Sequence, residues 1–84
     1  MTRTYIRDLS EKIGEVVLIK GWVSVVRSQK EITFFIIRDI TGTVQAVINE
    51  KYTKLSLESV VSISGLVEKN VQAPGGFEIK IDNL

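Results

Sequence analysis

The sequence predicts an all-β domain, folded as a small five-stranded Greek-key barrel with a short helical turn near its N-terminus. Its 84 residues leave room for one domain with one core, spanning 1–84. Hydrophobic residues make up 44% of the chain and charged residues 25%, which is the balance of a folded domain. Short runs rich in valine, isoleucine and phenylalanine alternate with turn signals, and this pattern is typical of small β-barrels.

A short helical turn is expected at Asp8–Gly14, before the first strand. Asp8 or Ser10 can accept hydrogen bonds from free amide groups, and Gly14 suits the left-handed residue that ends a helix. The valine-rich run from Val16 to Arg27 then predicts one long strand. Gly21, inside that run, predicts a bulge or a sharp bend.

The second and third strands are predicted as a hairpin, Ile32–Asp39 followed by Thr43–Ile48. If Asp39 lies opposite Gly42 across the turn, Phe35 faces Ala46 and Phe34 faces Val47. One face of the hairpin is then wholly apolar, with Phe35, Ile37, Val44, Ala46 and Ile48. The other face is open to water and mixes apolar and polar groups, with Phe34, Ile36, Arg38, Thr43, Gln45 and Val47. An exposed aromatic ring beside an amide is what base recognition requires.

The fourth and fifth strands are predicted at Val60–Glu68 and Phe77–Asp82. Alternation in the fifth strand directs Phe77, Ile79 and Ile81 inward, and Glu78, Lys80 and Asp82 outward. The segment 49–59 is either a short helix or an irregular loop, with three apolar side chains to plug one barrel end: Tyr52, Leu55 and Leu57. The segment 69–76 is long enough to be a binding loop. A plug after the third strand and a free loop after the fourth describe an OB-fold.

Composition excludes several classes of function. The chain has no cysteine and no histidine, which rules out a disulfide framework, thiolate metal sites and histidine-based catalysis. The acidic residues form no metal-ligand motif, and no metal site is expected. The net charge is only +1, so nucleic-acid binding would have to come from a local patch. The apolar runs of the chain are too short to span a bilayer, so we expect no membrane association and a cytoplasmic location.

Several motifs together carry a resemblance to a known family. They are Gly21-Trp22-Val23, Arg27, Phe34 to Asp39, Thr41 to Gln45, Glu58 to Val61, and Ala73 to Ile79. In this order they resemble the OB-fold anticodon-binding domain of class IIb aminoacyl-tRNA synthetases. The Gly-Trp-Val opening, the Arg-Asp-x-Thr-Gly turn and the Ala-Pro-Gly-Gly loop are most similar to archaeal-type aspartyl-tRNA synthetase, or to asparaginyl-tRNA synthetase.

This resemblance implies roles for four residues and a tRNA anticodon stem-loop as the partner. Phe34 matches the aromatic residue on which the central anticodon uridine stacks, and Gln45 matches a residue that hydrogen-bonds to that uridine. Glu78 matches an acidic residue at the same part of the anticodon, and Arg27 matches an arginine near the third base. Two further side chains can reach phosphates: Lys30 and Lys69.

The resemblance also implies what the chain lacks. The parent protein would be an aspartate–tRNA or asparagine–tRNA ligase, a homodimer that uses ATP and Mg²⁺. This chain is expected to hold no catalytic residue and no cofactor, to activate no amino acid alone and to be a monomer. Ser24 stands where relatives often carry histidine or tryptophan. In this family that position is associated with discrimination between aspartate and asparagine anticodons, so the resemblance does not decide which of the two anticodons is recognised.

Two other functions remain open on the sequence alone. One is a freestanding OB-fold that binds single-stranded nucleic acid, which would need several exposed aromatic rings where only Phe34 and Trp22 are candidates. Packing is the commoner role for a tryptophan placed like Trp22. The other is an OB scaffold used for protein interaction.

Overall fold

The computed structural model describes residues 2–52 and 55–84 as a closed five-stranded barrel. The strands are β1 (Val16–Gln29), β2 (Ile32–Asp39), β3 (Gly42–Ile48), β4 (Val60–Lys69) and β5 (Phe77–Asn83). Their order around the barrel is β1-β2-β3-β5-β4, and β3 pairs with β5 in parallel while the other neighbours are antiparallel. A 3₁₀ helix at Ile6–Glu11 precedes β1, and a 3₁₀ turn at Pro74–Gly76 precedes β5. The predicted fold, an all-β OB barrel after a helical turn, is confirmed.

The core lies inside the barrel and is made by alternate side chains of every strand. Its fully buried members include Ile19, Val23, Phe35, Ile37, Val44, Ile63, Val67 and Ile79. Ile6 and Leu9 of the 3₁₀ helix are buried in the same cluster. Tyr52 meets Phe35 edge to face, with ring centroids 6.3 Å apart. The core is therefore continuous from the N-terminal helix to the segment after β3.

The segment 49–59 differs in part from its predicted plugging role. Tyr52 and Leu55 pack against the core, but Leu57 is 59% exposed and plugs nothing. Residues 53 and 54 lie outside the described part of the chain, and the described remainder of this segment is irregular rather than helical. The amide of Glu58 donates to the Val23 carbonyl, which ties the segment to β1 instead of turning Leu57 inward.

The predicted N-terminal capping of the helical turn is wrong. The 3₁₀ helix begins earlier, at Ile6, and neither Asp8 nor Ser10 accepts its first free amide. The Ile6 amide instead donates to Asp39 Oδ2 at 2.9 Å, across 33 positions of sequence. Gly14 does adopt a positive φ of 91° after the helix, as predicted.

The irregularity predicted at Gly21 lies three residues later. The register of β1 with β2 shifts between Val23 and Val25, which leaves Ser24 as the bulged residue. Gly21 marks a close approach of backbones, because a Cβ there would overlap the Arg38 carbonyl oxygen. The shift at Ser24 turns Val25 and Arg27 to the outside of the barrel after Val23 has pointed inward. The bulge therefore decides which β1 side chains share a face with Phe34.

Candidate nucleic-acid interface

Two rows of side chains cross the outer face formed by β1, β2, β3 and β5. The strand register places Arg27, Phe34, Val47 and Lys80 side by side in one row, here called the aromatic row. Two positions further along each strand it places Val25, Ile36, Gln45 and Glu78 in a second row, here called the polar row. The predicted pairing of Phe34 with Val47 is confirmed, so Gln45 is its diagonal neighbour, where Cα atoms lie about 7–8 Å apart.

The aromatic row is an apolar centre with a cation at each end. The guanidinium carbon of Arg27 lies 5.2 Å from the centroid of the Phe34 ring, within the range of a cation–π contact. Val47 was predicted to be open to water, but it is only 5% exposed. It lies between Phe34 and Lys80 in the row. Because Val47 is buried, Phe34 supplies the accessible apolar surface between the two cations of the row.

The polar row holds a hydrogen-bonded pair at its centre. The Gln45 amide donates from Nε2 to Glu78 Oε1 at 2.9 Å, between directly paired residues of β3 and β5. Glu78 points away from the core, as its alternation predicts, yet it is only 6% exposed. A second amide, Asn70 Nδ2, donates to the same oxygen at 3.0 Å. The carboxylate is thus held by neutral donors at the margin of the face.

The six predicted site residues fall into one group and two outliers. Arg27, Phe34, Gln45 and Glu78 share the outer face, although they come from four strands. Lys30 lies in the exposed β1–β2 turn, beyond the end of the aromatic row, with a φ of 53°. Lys69 ends β4 and pairs with Phe77, beside the polar row. The two lysines therefore lie at opposite ends of the face.

Two residues of this face, Lys80 and Asn70, were not predicted as site residues from the sequence. Lys80 was predicted to point outward, but its place beside Val47 follows from the parallel pairing of β5 with β3, which alternation does not reveal. Asn70 was read only as part of a loop, since asparagine is an ordinary turn residue. No local signal shows that its side chain reaches Glu78, eight positions later.

Trp22 lies apart from both rows. It pairs with Arg38 near the far end of β2 and is half-buried. With Ile40 and Val60, which are 84% and 87% exposed, it lines a shallow depression on another part of the surface. Trp22 is therefore not a second ring of the aromatic row.

Within 2–52 and 55–84, no group of three or more acidic, histidine or cysteine side chains is placed to hold a metal ion. Over the same residues, no helix has both the length and the apolar character needed to cross a bilayer.

Comparison with known proteins places this barrel in a family. The family of OB-fold nucleic acid binding domains of the tRNA anticodon type matches residues 17–84. The chain belongs to this family. The match spans all five strands of the OB-fold, and it confirms the resemblance that the sequence motifs indicated.

The relatives of this OB-fold domain are longer proteins. An asparagine–tRNA ligase of Pelotomaculum thermopropionicum is 38% identical, covering 100% of this chain and 22% of that protein. An aspartate–tRNA(Asp/Asn) ligase of Methanopyrus kandleri is 40% identical, covering 89% of this chain and 20% of that protein. The crystal structure of asparaginyl-tRNA synthetase from Pyrococcus horikoshii, complexed with asparaginyl-adenylate, superposes with a TM-score of 0.88 at 32% identity, covering 99% of this chain and 21% of that one. The OB-fold chain therefore spans about a fifth of the length of these relatives.

Proposed function

We propose that this OB-fold domain recognises a tRNA anticodon on its outer face, with residues 1–84 forming the anticodon-binding part of an aspartate–tRNA or asparagine–tRNA ligase. The observation that carries the proposal is the hydrogen-bonded pair of Gln45 and Glu78 next to a half-buried Phe34, on one face of a domain whose family binds nucleic acid. The asparagine–tRNA and aspartate–tRNA(Asp/Asn) ligases named above support the assignment of the domain to such a ligase. Ligase activity, with its ATP and Mg²⁺, would belong to the rest of a homodimeric cytoplasmic enzyme.

In this proposal Phe34 is the stacking platform for the central base of the anticodon. Stacking of one base on an aromatic side chain contributes about 1–3 kcal/mol. The guanidinium carbon of Arg27, at 5.2 Å from the ring centroid, leaves no room for a base between them. A base on that face of the ring must therefore displace Arg27, which is then free to contact a neighbouring base or phosphate.

Gln45 would read the edge of the stacked base. A side-chain amide offers an acceptor, Oε1, beside a donor nitrogen, Nε2, which carries two hydrogens. Because Glu78 accepts one Nε2 hydrogen, the other hydrogen and Oε1 remain to face a base. Uracil presents its N3 donor beside the O4 acceptor, whereas cytosine presents a donor at N4 beside an acceptor at N3. With the base held by stacking and the amide held by Glu78, only uracil matches the amide in its observed orientation.

Lys30 and Lys69 would provide phosphate contacts from the loops at the two ends of the face. Both are exposed, and Lys80 adds a third cation within the aromatic row. Phosphate contacts supply affinity without sequence information, so these lysines position the RNA while Gln45 reads it.

The experiment that tests this proposal compares two anticodon stem-loops that differ only in the central base. We expect the domain to bind the uridine stem-loop more tightly than the cytidine stem-loop by about 1–3 kcal/mol, which is the usual value of one good base-edge pairing. Fluorescence titrations at low ionic strength measure both dissociation constants. Equal constants for the two stem-loops would contradict the proposal.

A further inference from the structure

The side chain of Asn70 uses both of its polar groups, and the two groups serve different ends. Its Oδ1 accepts a hydrogen bond from the Gln72 amide at 3.0 Å, which shapes the loop between β4 and β5. Its Nδ2 donates to Glu78 Oε1 at 3.0 Å, which lies outside the loop, in β5. The donor side of Asn70 therefore points to a role outside the loop.

The backbone of Asn70 is anchored well enough to hold that donor in place. Its amide donates to the Gly76 carbonyl at 2.9 Å, and its carbonyl accepts from the Ala73 amide at 3.0 Å. These two bonds close the loop immediately before β5 begins. Asn70 is thus fixed relative to Glu78 from both sides of the loop.

The Glu78 carboxylate depends on neutral donors for its orientation. In the part of the chain that the structure describes, no lysine or arginine nitrogen lies within 4.0 Å of it, since the two ion pairs join other residues. One oxygen, Oε1, receives both Gln45 Nε2 and Asn70 Nδ2. Without Asn70, Gln45 Nε2 would be the one side-chain donor left to this oxygen among the described residues.

For a base held with its N3 and its position-4 group toward Gln45, the orientation of the amide decides which pyrimidine it fits. A rotation of 180° exchanges Oε1 and Nε2, and the exchanged amide matches the N4 donor and N3 acceptor of cytosine. An ionised carboxylate accepts hydrogen bonds and donates none, so it holds Nε2 toward itself and opposes that rotation. A mobile Glu78 would oppose it less.

We propose that Asn70 is a positioning residue that fixes the Glu78 carboxylate and, through it, the orientation of the Gln45 amide, so that the outer face discriminates uridine from cytidine. This inference rests on the proposed anticodon function. It adds a specificity-determining residue that does not itself need to touch the RNA.

Two variants separate the positioning role from the loop role. Asn70→Ala removes both the donor to Glu78 and the acceptor for the Gln72 amide. Asn70→Asp keeps an acceptor for the Gln72 amide and removes the donor to Glu78. Asn83→Asp is the matched control, because it adds the same charge at an exposed position at the end of β5. Thermal unfolding of each variant verifies that it is folded.

The first measurement is the ratio of the dissociation constants for the cytidine and uridine stem-loops. A uniform loss of affinity leaves this ratio unchanged, so it reports the amide orientation and not general damage. We expect a wild-type ratio of roughly fivefold or more, and ratios within about twofold of unity for Asn70→Ala and Asn70→Asp. Asn83→Asp should keep the wild-type ratio. A wild-type ratio in Asn70→Asp would overturn the inference.

The second measurement needs no RNA. In ¹⁵N–¹H spectra of the free domain, the Gln45 side chain gives two Nε2 proton signals, and a hydrogen bond to a fixed carboxylate separates them in shift and slows the exchange of one. We expect Asn70→Asp to reduce that separation and to speed the exchange, while Asn83→Asp leaves both unchanged. Unchanged Gln45 signals in Asn70→Asp would overturn the inference. A wild-type domain without a uridine preference would instead contradict the proposed function, and these signals would still decide the role of Asn70.

Discussion

Asp39 joins two parts of the barrel through a single carboxylate. Its Oδ1 accepts hydrogen bonds from the Thr41 hydroxyl and from the Thr41 and Gly42 amides, and its Oδ2 accepts from the Ile6 amide. Burial alone raises the pKa of Asp39, but these four hydrogen bonds outweigh burial and hold the pKa below its ordinary value. The ionised form therefore stabilises the β2–β3 turn and the first 3₁₀ helix together.

We expect Asp39→Asn to lower the free energy of unfolding by about 1–3 kcal/mol at pH 7, because an amide NH₂ cannot accept the bond that one carboxylate oxygen accepts. A depressed pKa stabilises the fold above the unfolded-state value of about 3.9, and this contribution is lost as pH falls through the lower folded-state pKa. The variant should therefore show a weaker dependence of stability on pH below about 4.

Chemical denaturation between pH 2.5 and 7 measures both effects of the Asp39 change. Asp8→Asn is the matched control, since the Asp8 side chain is 47% exposed and its nearest charged partner, Arg7 Nε, is 3.9 Å away. Exposed pairs of this kind contribute little. Equal losses of stability in the two variants would show that the Asp39 hydrogen bonds do not hold the turn and the helix.

Phe34 and Phe35 are adjacent in sequence and opposite in environment. Phe35 is fully buried against Tyr52, so Phe35→Ala should cost about 3–5 kcal/mol of unfolding free energy. Phe34 lies on the outer face, so Phe34→Ala should cost less stability but about 1–3 kcal/mol of stem-loop binding. Thermal unfolding measures the loss of stability of both variants, and stem-loop titration measures their loss of binding. If Phe34→Ala unfolds the domain while Phe35→Ala folds but does not bind, the assignment of the two faces is wrong.

At the scale of elements, the β2–β3 hairpin was predictable because its information is local. The turn chemistry of Asp39 and Gly42 fixes the pairing, and a period of two then assigns every side chain to a face. The bulge in β1 was misplaced, because a glycine inside a strand signals either a bulge or a close backbone approach. Gly21 is the close approach, whereas Ser24, the bulged residue, carries no distinctive sequence signal.

The close pairing of β4 with β5 depends on a second such glycine, Gly65. A Cβ on Gly65 would overlap the Lys80 carbonyl oxygen, and backbone atoms cannot move away as a flexible side chain would. We expect Gly65→Ala to lower the free energy of unfolding by about 1–3 kcal/mol through overpacking. Gly42→Ala is the control, since its Cβ would meet only Ile6 Cγ2 at 3.7 Å, an ordinary contact.

Urea denaturation of the two glycine variants measures this difference. Gly42→Ala should stay within about 0.5 kcal/mol of the wild type, as surface changes usually do. A Gly65→Ala variant as stable as Gly42→Ala would contradict the close approach of β4 and β5 at this position.

At the scale of the whole molecule, the unpredicted features are those that join distant segments. Alternation sends Glu78 and Val47 outward correctly, but their burial follows from the parallel pairing of β5 with β3, which no local pattern encodes. The donation from Asn70 to Glu78 likewise needs the loop and β5 to be placed together. The sequence therefore predicts which side chains point outward, and the barrel closure decides which of them remain open.

The net charge of +1 gives the molecule no general attraction for RNA. Any affinity must come from the arrangement of cations around Phe34, with Arg27 and Lys80 at the ends of the aromatic row. Lys30 and Lys69 lie beyond the two rows, near the loops that flank the outer face. Binding is therefore expected to be confined to that face.

The most direct test of that expectation is to follow the backbone amide signals of the ¹⁵N-labelled domain while a uridine-centred anticodon stem-loop is added at low ionic strength. The largest shifts should fall on the aromatic row, the polar row and the β1–β2 and β4–β5 loops. Signals around Trp22, Ile40 and Val60, which also form an exposed apolar surface, should stay in place. Shifts concentrated around Trp22, with Phe34 and Gln45 unmoved, would contradict binding on the outer face.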